Sequence, residues 1–337
     1  MKKLFITFCL LLVVLAGFTQ TTYYWVGGAT GVFSAVTSWN TQLDGNGTAI
    51  PAAPAATDIL IFDGSNIGGT TPATGQVTPS ITTSYTITQL KFQNAADVVF
   101  YRFSSTGGLS SGTSAITISG DGTAAHDLTL DAGSSFKITS ISYPTAQGLN
   151  VLLGAGATGS VSGTVRILDG GFAKNYLHVT SVNSLFFANG SNVYISNTFA
   201  ASYAFSPSGS TAVANGVVFQ SGSSLIFQGG LSPYTTTSAA IPIVFATGSN
   251  FIFEAGLGST NNFTRHILPN VTIRNNATVN ADGAPYNIDN LTIEAGATFR
   301  LGSSGGYPVT GNILNNGTFS TVAGTSNVIM LGNTPQT

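Results

Sequence analysis

The chain has 337 residues, and only 7% of them are charged, whereas soluble domains usually carry about 25%. The net charge is −2 and the few Lys and Arg are not clustered, which argues against nucleic acid as a partner because phosphate neutralisation needs several grouped cations. Hydrophobic residues make up 43% of the chain, enough to form a core, so the composition also excludes wholesale disorder.

Residues 1–20 have the pattern of a secretory signal peptide. Lys2 and Lys3 precede an apolar run over residues 4–18. As a helix this run would be about 22 Å long, shorter than the roughly 30 Å bilayer core, so no transmembrane segment is expected after cleavage between Ala16 and Gln20. Cys9, the only cysteine, would leave with the signal, so the mature chain has no disulfide.

Residues 21–84 are interpreted as an N-terminal cap. They contain both tryptophans, Trp25 and Trp39, and a loop rich in Pro and Ala over residues 51–56. The first well-alternating segment begins at Tyr85. Because the open end of a stack of strands needs protection, we expect residues 21–84 to cover the first coil.

Residues 85–337 are interpreted as the coils, and from about Thr129 onward they repeat one phrase. The phrase consists of a short alternating run, a Gly or Asn turn, a small residue and a second alternating run. Clear copies are VVF-QSGS-SLIF at 217–227, IVF-ATGS-NFIF at 243–253 and LTI-EAGA-TFR at 291–300. The turns fall at positions 190, 222, 248, 276, 296 and 317, with successive spacings of 32, 26, 28, 20 and 21. A period of two within each run predicts strands, and these spacings predict an all-β, right-handed parallel β-helix. They are too short for propeller blades of about 40–50 residues.

The last apolar run, residues 328–331, is followed by only six residues and no cap is visible. An uncapped apolar coil would be an aggregation-prone edge. The sequence therefore predicts coils that are truncated at the C-terminus.

Three short segments near the N-terminus carry a family resemblance: YYWVGG at 23–28, SWN at 38–40 and DILIFD at 58–63. They resemble the N-terminal module of large secreted β-helical adhesin-like surface proteins of the Bacteroidota, and NLTIEAGATF at 290–299 resembles the coils of the same proteins. Such proteins commonly end in a sorting domain for type IX secretion, and no such domain is recognised in this sequence. The resemblance implies a protein that is extracellular or attached to the outer cell surface.

The densest polar cluster contains Asp121, Asp127 and Asp131 together with His126. Three carboxylates could bind Ca²⁺, although the spacing matches neither an EF-hand nor a calcium β-roll. The alternative is that these aspartates are corner residues that bond their own backbone. Apart from this calcium candidate, no cofactor is expected, and the scattered histidines do not have the spacing of a zinc site.

Enzymes that cleave polysaccharides also use the β-helix, so a lyase or glycoside hydrolase is the alternative function. It would need a base and a cation close to carboxylates, with Lys137 or Arg265 as the candidate cation. Arg265 and His266 form the only tight pair of basic groups, and neighbouring coils could bring Asp282 or Asp289 near Arg265. Because the fold alone does not imply such a function, no catalytic residue is assigned.

Several aromatic residues fall in irregular inserts between coils. If exposed they could stack on sugars, and if buried they would close a coil, which is the favoured interpretation. They are Tyr203, Phe205, Tyr234 and Tyr286.

Together these patterns predict a secreted, non-enzymatic, adhesin-like protein that presents a weakly charged stalk to surfaces, extracellular glycans or cells. The ligand and the oligomeric state stay open.

Overall fold

The computed structural model describes residues 20–65, 76–102, 114–140, 148–168, 175–196, 204–205, 213–229, 242–256, 267–281, 287–302, 306–321 and 327–331. Within these residues the chain forms 28 strands, one 3-10 turn at Val36–Ser38 and no α-helix. The predicted signal peptide lies outside the described residues, apart from Gln20.

The strands of the N-terminal half are β1 (Thr21–Trp25), β2 (Trp39–Asn40), β3 (Asp58–Asp63), β4 (Ser80–Ile81), β5 (Tyr85–Ile87), β6 (Gln89–Gln93), β7 (Asp97–Arg102), β8 (Ser114–Ile118), β9 (Leu128–Leu130), β10 (Ser135–Ser140), β11 (Leu149–Leu153), β12 (Gly159–Val161), β13 (Thr164–Leu168) and β14 (Tyr176–Val179). Those of the C-terminal half are β15 (Leu185–Phe187), β16 (Asn192–Ser196), β17 (Val217–Phe219), β18 (Ser224–Gly229), β19 (Ile243–Phe245), β20 (Asn250–Phe253), β21 (Ile267–Ile273), β22 (Thr278–Ala281), β23 (Asn287–Ile293), β24 (Thr298–Leu301), β25 (Gly306–Val309), β26 (Ile313–Asn315), β27 (Thr318–Thr321) and β28 (Asn327–Met330).

These strands form four sheets. Sheet A has the order β19-β17-β15-β12-β9-β6-β3-β1-β2, and sheet B has the order β28-β25-β23-β21-β20-β18-β16-β13-β10-β7-β4, with β26 also paired to β23. Sheet C is β14-β11-β8-β5 and sheet D is β22-β24-β27. All pairs among these described strands are parallel except β1 with β2. From β6 to β14 the chain visits sheets A, B and C in turn, so the fold is a parallel β-solenoid, as the repeat predicted.

The core is a set of columns that run from coil to coil. Because side chains alternate along a strand, every second residue points inward and lies on its counterpart in the next coil. The clearest column is aromatic: the ring of Phe219 lies 4.6 Å from that of Phe187 and 5.1 Å from that of Phe245, and both pairs are stacked. All three side chains are buried, so each coil completes the core of its neighbours.

Six of the described corners use the same four-residue turn, whose third residue is Gly133, Gly156, Gly190, Gly222, Gly248 or Gly296. In the corner before β18, the Ser223 N–H donates to the Gln220 carbonyl at 3.0 Å, and Gly222 has φ of 78°. A positive φ at the third position is the signature of a type II turn, which favours glycine. The small fourth residue is fully buried in this corner, as it is at Ser191 and Ser249. The corner chemistry predicted from the sequence is therefore confirmed.

Residues 21–84, predicted as a cap, contribute strands to the stack as well as covering its end. β1 pairs in parallel with β3, and β3 pairs in parallel with β6, so sheet A extends back to residue 21. The cover itself consists of β2, which pairs antiparallel to β1, and an aromatic cluster. Its buried rings, with centroids 5.1–5.7 Å apart, belong to Trp25, Phe33, Trp39, Phe62, Tyr85 and Phe100.

The coil length changes at β21. Asn250 pairs with Asn270 and Phe251 with Val271, so the second half of one phrase stacks on the first half of the next. The turn at residue 276 therefore does not lie beneath the turn at residue 248, and the spacing between these two turns is not a coil length. From β20 to β23 the coils are shorter, because Asn250, Asn270 and Asn290 are successive register partners. In this part sheet D replaces sheet C as the sheet that follows sheet B.

Gly163 occupies a corner that is two residues shorter than its neighbour, and it touches the neighbouring turn. A Cβ added here would lie 2.3 Å from the Ser134 carbonyl oxygen and 2.6 Å from that of Asp131. Since backbone must move, we expect Gly163→Ala to lower the free energy of unfolding by about 3 kcal/mol, as overpacking does. Urea unfolding followed by circular dichroism measures the loss.

Gly156 is the matched control, because its φ of 82° is strained for alanine although nothing lies within 4 Å of the added Cβ. Gly156→Ala should cost only about 1 kcal/mol. Equal losses in the two variants would contradict the close approach at Gly163.

Candidate functional site

Asp121, the first residue of the predicted calcium cluster, accepts hydrogen bonds from the backbone of its own corner. Its carboxylate accepts the backbone N–H groups of Thr123 and Ala124 at 2.7 and 2.9 Å. It also accepts the side-chain amides of Gln20 and Gln89, at 2.9 and 3.0 Å. The N–H groups of Ala124 and Thr123 hold the pKa of Asp121 well below its usual value, so the side chain stays ionised.

Asp127 and Asp131 lie on either side of β9. Asp127 is only 3% exposed and accepts the Thr158 N–H at 2.9 Å, whereas Asp131 is exposed. With a three-residue strand between them, their Cα atoms are about 13 Å apart. No group of three or more His, Cys, Asp or Glu placed to hold a metal occurs among the described residues. Asp121 and Asp127 thus accept hydrogen bonds from backbone N–H groups at corners. Calcium binding stays a prediction.

Most of the other candidates from the sequence lie outside the described residues. These are Tyr203, Tyr234, Tyr286, Asp282, Arg265 and His266. Phe205 is described: it is 1% exposed and its ring lies 6.0 Å from that of Phe187, so this aromatic closes a coil. Asp289 accepts the Thr310 hydroxyl at 3.1 Å.

A shallow groove of about 510 Å³ lies beside the N-terminal cover. Asp63 at its edge is 3% exposed and accepts hydrogen bonds from Ser65, Gln93 and Asn94 at 2.6–2.9 Å. Burial alone would raise the pKa of Asp63, but these hydrogen bonds lower it. The Asp63 carboxylate is therefore used in hydrogen bonds that hold the fold together. The groove is lined by Tyr24, Thr41, Gln42, Leu43, Asp44 and Asp63.

The outer face of sheet B carries three columns of outward side chains. The first is polar, with register partners Ser135, Thr164, Asn192, Ser224, Asn250, Asn270 and Asn290. Its last part is a hydrogen-bonded ladder in which Asn290 Nδ2 donates to Asn270 Oδ1 at 2.8 Å and Asn270 Nδ2 donates to Asn250 Oδ1 at 3.3 Å.

Breaking this ladder should be measurable. Asn270→Ala removes both bonds and leaves a donor and an acceptor without partners, so we expect it to lower the free energy of unfolding by about 1–2 kcal/mol. Thr272→Ala, at the next outward position of β21, should change it by less than about 0.5 kcal/mol. Denaturant titrations compare the two, and a larger loss for Thr272→Ala would contradict the ladder.

The second column contains Lys137, Arg166 and Tyr194, which lie in register on β10, β13 and β16. The guanidinium carbon of Arg166 lies 3.9 Å above the centre of the Tyr194 ring, a cation–π contact. In the part of the chain that the structure describes, neither cation has a carboxylate within 4.0 Å. The arrangement of two carboxylates around Lys137 that a lyase would need is therefore not formed by described residues.

The third column contains the ion pair between Arg274 and Glu254. Arg274 Nε donates to Glu254 Oε1 at 3.0 Å, and Gln228 donates to Glu254 Oε2 at 2.8 Å. Burial would raise the pKa of Glu254, but the bonds from Gln228 and Arg274 lower it, with a contribution from the charge of Arg166. This carboxylate is neutralised within its own column.

The Lys137–Arg166–Tyr194 cluster was not singled out from the sequence, although a signal exists. All three residues occupy the same slot of the repeated phrase, as the middle residues of FKI at 136–138, VRI at 165–167 and VYI at 193–195. Aligning the phrases would have brought them together on one column.

Comparison with protein-family models, with curated proteins and with solved structures gives no match. No helix among the described residues is long and apolar enough to span a membrane.

Proposed function

We propose that this chain is an exported structural protein that forms a weakly charged, adhesin-like stalk at or outside the cell surface. The observation that carries the proposal is one continuous ladder: sheet B runs through eleven strands from β4 to β28. At about 4.8 Å per strand this is a column about 50 Å long. A stalk needs such a column to hold contact surfaces away from the cell.

The physical chemistry of the column suits an exterior location. Stacked strands place equivalent residues side by side, so identical charges would repel in every column, and 7% charge limits that repulsion. The stack is held by buried aromatic columns and by the asparagine ladder, neither of which depends on redox conditions. The signal-like N-terminus and the resemblance of the coils to surface proteins of the Bacteroidota support the same role.

Contact with glycans or other surfaces would be made by the outer faces of the sheets. Sheet B presents hydroxyl and amide groups in its first column and two cations in its second. Such groups can hydrogen-bond to sugar hydroxyls without any catalytic machinery.

The test uses the full chain in the cells that encode it. Intact cells are treated with protease, and an antibody to the chain follows its loss from the surface or its presence in the medium. We expect surface or medium location, and deletion of the gene should reduce adhesion to glycan-coated plates. Retention inside the cell, or adhesion that is unchanged by the deletion, would overturn the proposal.

A polysaccharide panel tests the alternative function in the same preparation. Purified chain is incubated with each polymer, and new reducing ends or unsaturated sugars are measured. We expect none. Product formation that is lost when Lys137 is changed to Gln would show that the chain is an enzyme and would overturn the stalk proposal.

A further inference from the structure

We infer that Lys137 and Arg166 form a binding site for the carboxylate or sulfate groups of an anionic extracellular polysaccharide. The inference deepens the proposed function and rests on it, because it takes the outer face of sheet B to meet extracellular polymers. It names the chemistry of the ligand and the place where that ligand binds.

The first argument is the position of the two cations. Lys137 and Arg166 are register partners on adjacent parallel strands, so their Cα atoms are about 4.8 Å apart and their side chains leave the same face. Like charges directly side by side destabilise a sheet. In a chain with only ten Lys and Arg, such a pair is a local conflict with the fold, and conflicts of this kind mark functional sites.

The second argument is that Arg166 is positioned by an aromatic ring and has no described carboxylate in contact with it. Its guanidinium carbon lies 3.9 Å above the centre of the Tyr194 ring, a contact that restricts the side chain. A guanidinium held in this way can donate two parallel hydrogen bonds to an anion. By contrast, Arg274 is paired with Glu254, and buried Arg102 donates to the Gly148 carbonyl at 3.0 Å. Among the described residues no carboxylate lies within 4.0 Å of Arg166, and the charge of Glu254 acts on it only from a greater distance.

The third argument is that the accessible part of the second column is limited at both ends. Val99 precedes Lys137 in the second column and Ile226 follows Tyr194. Both occupy outward positions and lie outside the core cluster, yet they are only 4% and 2% exposed. The two cations therefore lie in a short stretch of accessible sheet between two covered positions.

The surroundings favour a polysaccharide over other polyanions. Ser135 and Thr164, two residues before the cations on the same strands, place hydroxyl groups in the neighbouring column, and sugar hydroxyls can bond to them. Two cations on a chain with a net charge of −2 are too few for nucleic acid, which needs several phosphate contacts, or for an anionic membrane, which selects polybasic clusters.

The test measures binding of defined probes to the purified full chain by calorimetry at low salt. The probes are dextran sulfate and polyuronate oligosaccharides, with neutral dextran and duplex DNA of equal length for comparison. We expect binding to at least one of the two anionic glycans. Arg166→Gln and Lys137→Gln should each weaken it about tenfold, as loss of a charge-assisted hydrogen bond does.

Two further variants separate the site from bulk charge. Lys91→Gln removes one cation from the outer face of sheet A, between Ile61 and Thr129, and should weaken binding less than twofold. Tyr194→Leu should weaken it severalfold, and Tyr194→Phe should restore it, because Tyr194 acts as a positioning residue for Arg166. Unchanged circular dichroism spectra show that each variant is folded.

Some outcomes would overturn the inference. They are equal losses for Lys91→Gln and Arg166→Gln, binding of neither anionic glycan, or tighter binding of DNA than of the glycans. None of these outcomes tests the stalk, since that proposal is decided by surface location and by adhesion after deletion of the gene. An intracellular chain would overturn the stalk whatever the calorimetry shows.

Discussion

Phe219→Ala should lower the free energy of unfolding by about 3–5 kcal/mol, the range measured when a fully buried aromatic is truncated. The Phe219 ring stacks on Phe187 at 4.6 Å and on Phe245 at 5.1 Å, so the cavity would face two coils at once. In a solenoid each coil contacts only its neighbours, and a defect in the middle weakens the interface on both sides.

Denaturant unfolding followed by far-ultraviolet circular dichroism measures this loss. Val218→Ala is the matched control, because Val218 lies on the same strand and points outward from sheet A. It should cost less than about 1 kcal/mol. Equal losses at the two positions would contradict the inward assignment of Phe219.

Trp39→Ala should cost a similar amount, about 3–5 kcal/mol, but at the end of the column. The Trp39 side chain is fully buried, its Nε1 donates to the Phe33 carbonyl at 2.7 Å, and its ring lies 5.1 Å from Trp25 and 5.3 Å from Phe62. The truncation would open a cavity in the cover of β1 and leave that carbonyl without its donor.

The readout can be local, because the chain contains only two tryptophans and both lie in this cluster. In Trp39→Ala, fluorescence of the remaining Trp25 should shift to the red at a lower denaturant concentration than the loss of circular dichroism. Trp39→Phe keeps most of the packing and should recover part of the stability. Coincident transitions in Trp39→Ala would mean that the cover does not open separately from the column.

The parts of this fold that could be predicted from sequence are those encoded locally. Alternation in runs such as 217–219 and the glycine or asparagine of the corners dictate strands and turns by themselves, because side-chain period and positive φ are local properties. Which sheet a run joins is not local. The phrase at 271–280 reads like that at 243–253, yet its first half stacks on the second half of the earlier one. The two corners differ in turn type, since only Gly248 has a positive φ in the first whereas both Asn275 and Asn276 have one in the second. Neither turn type specifies which earlier strand the following coil pairs with.

The candidate site shows a similar division. Asp127 could be recognised as a corner residue, but its burial and its bond to Thr158 depend on the next coil, 31 residues away. A metal ligand and a corner aspartate look the same in sequence. Arg166 and Tyr194 could have been paired by phrase alignment, whereas the covering of Val99 and Ile226 at the two ends of the site could not.

The shortening of the coils near the C-terminal end, where Asn250, Asn270 and Asn290 follow one another in register, has a mechanical consequence. If the two ends of the column were pulled apart, the hydrogen bonds between neighbouring strands would break one coil at a time. Each short coil would then release about 70 Å of extended chain, and the longer coils before it would release more. A column that lengthens in such steps takes up a sudden extension gradually, so the peak force along it stays lower than in a column that cannot lengthen.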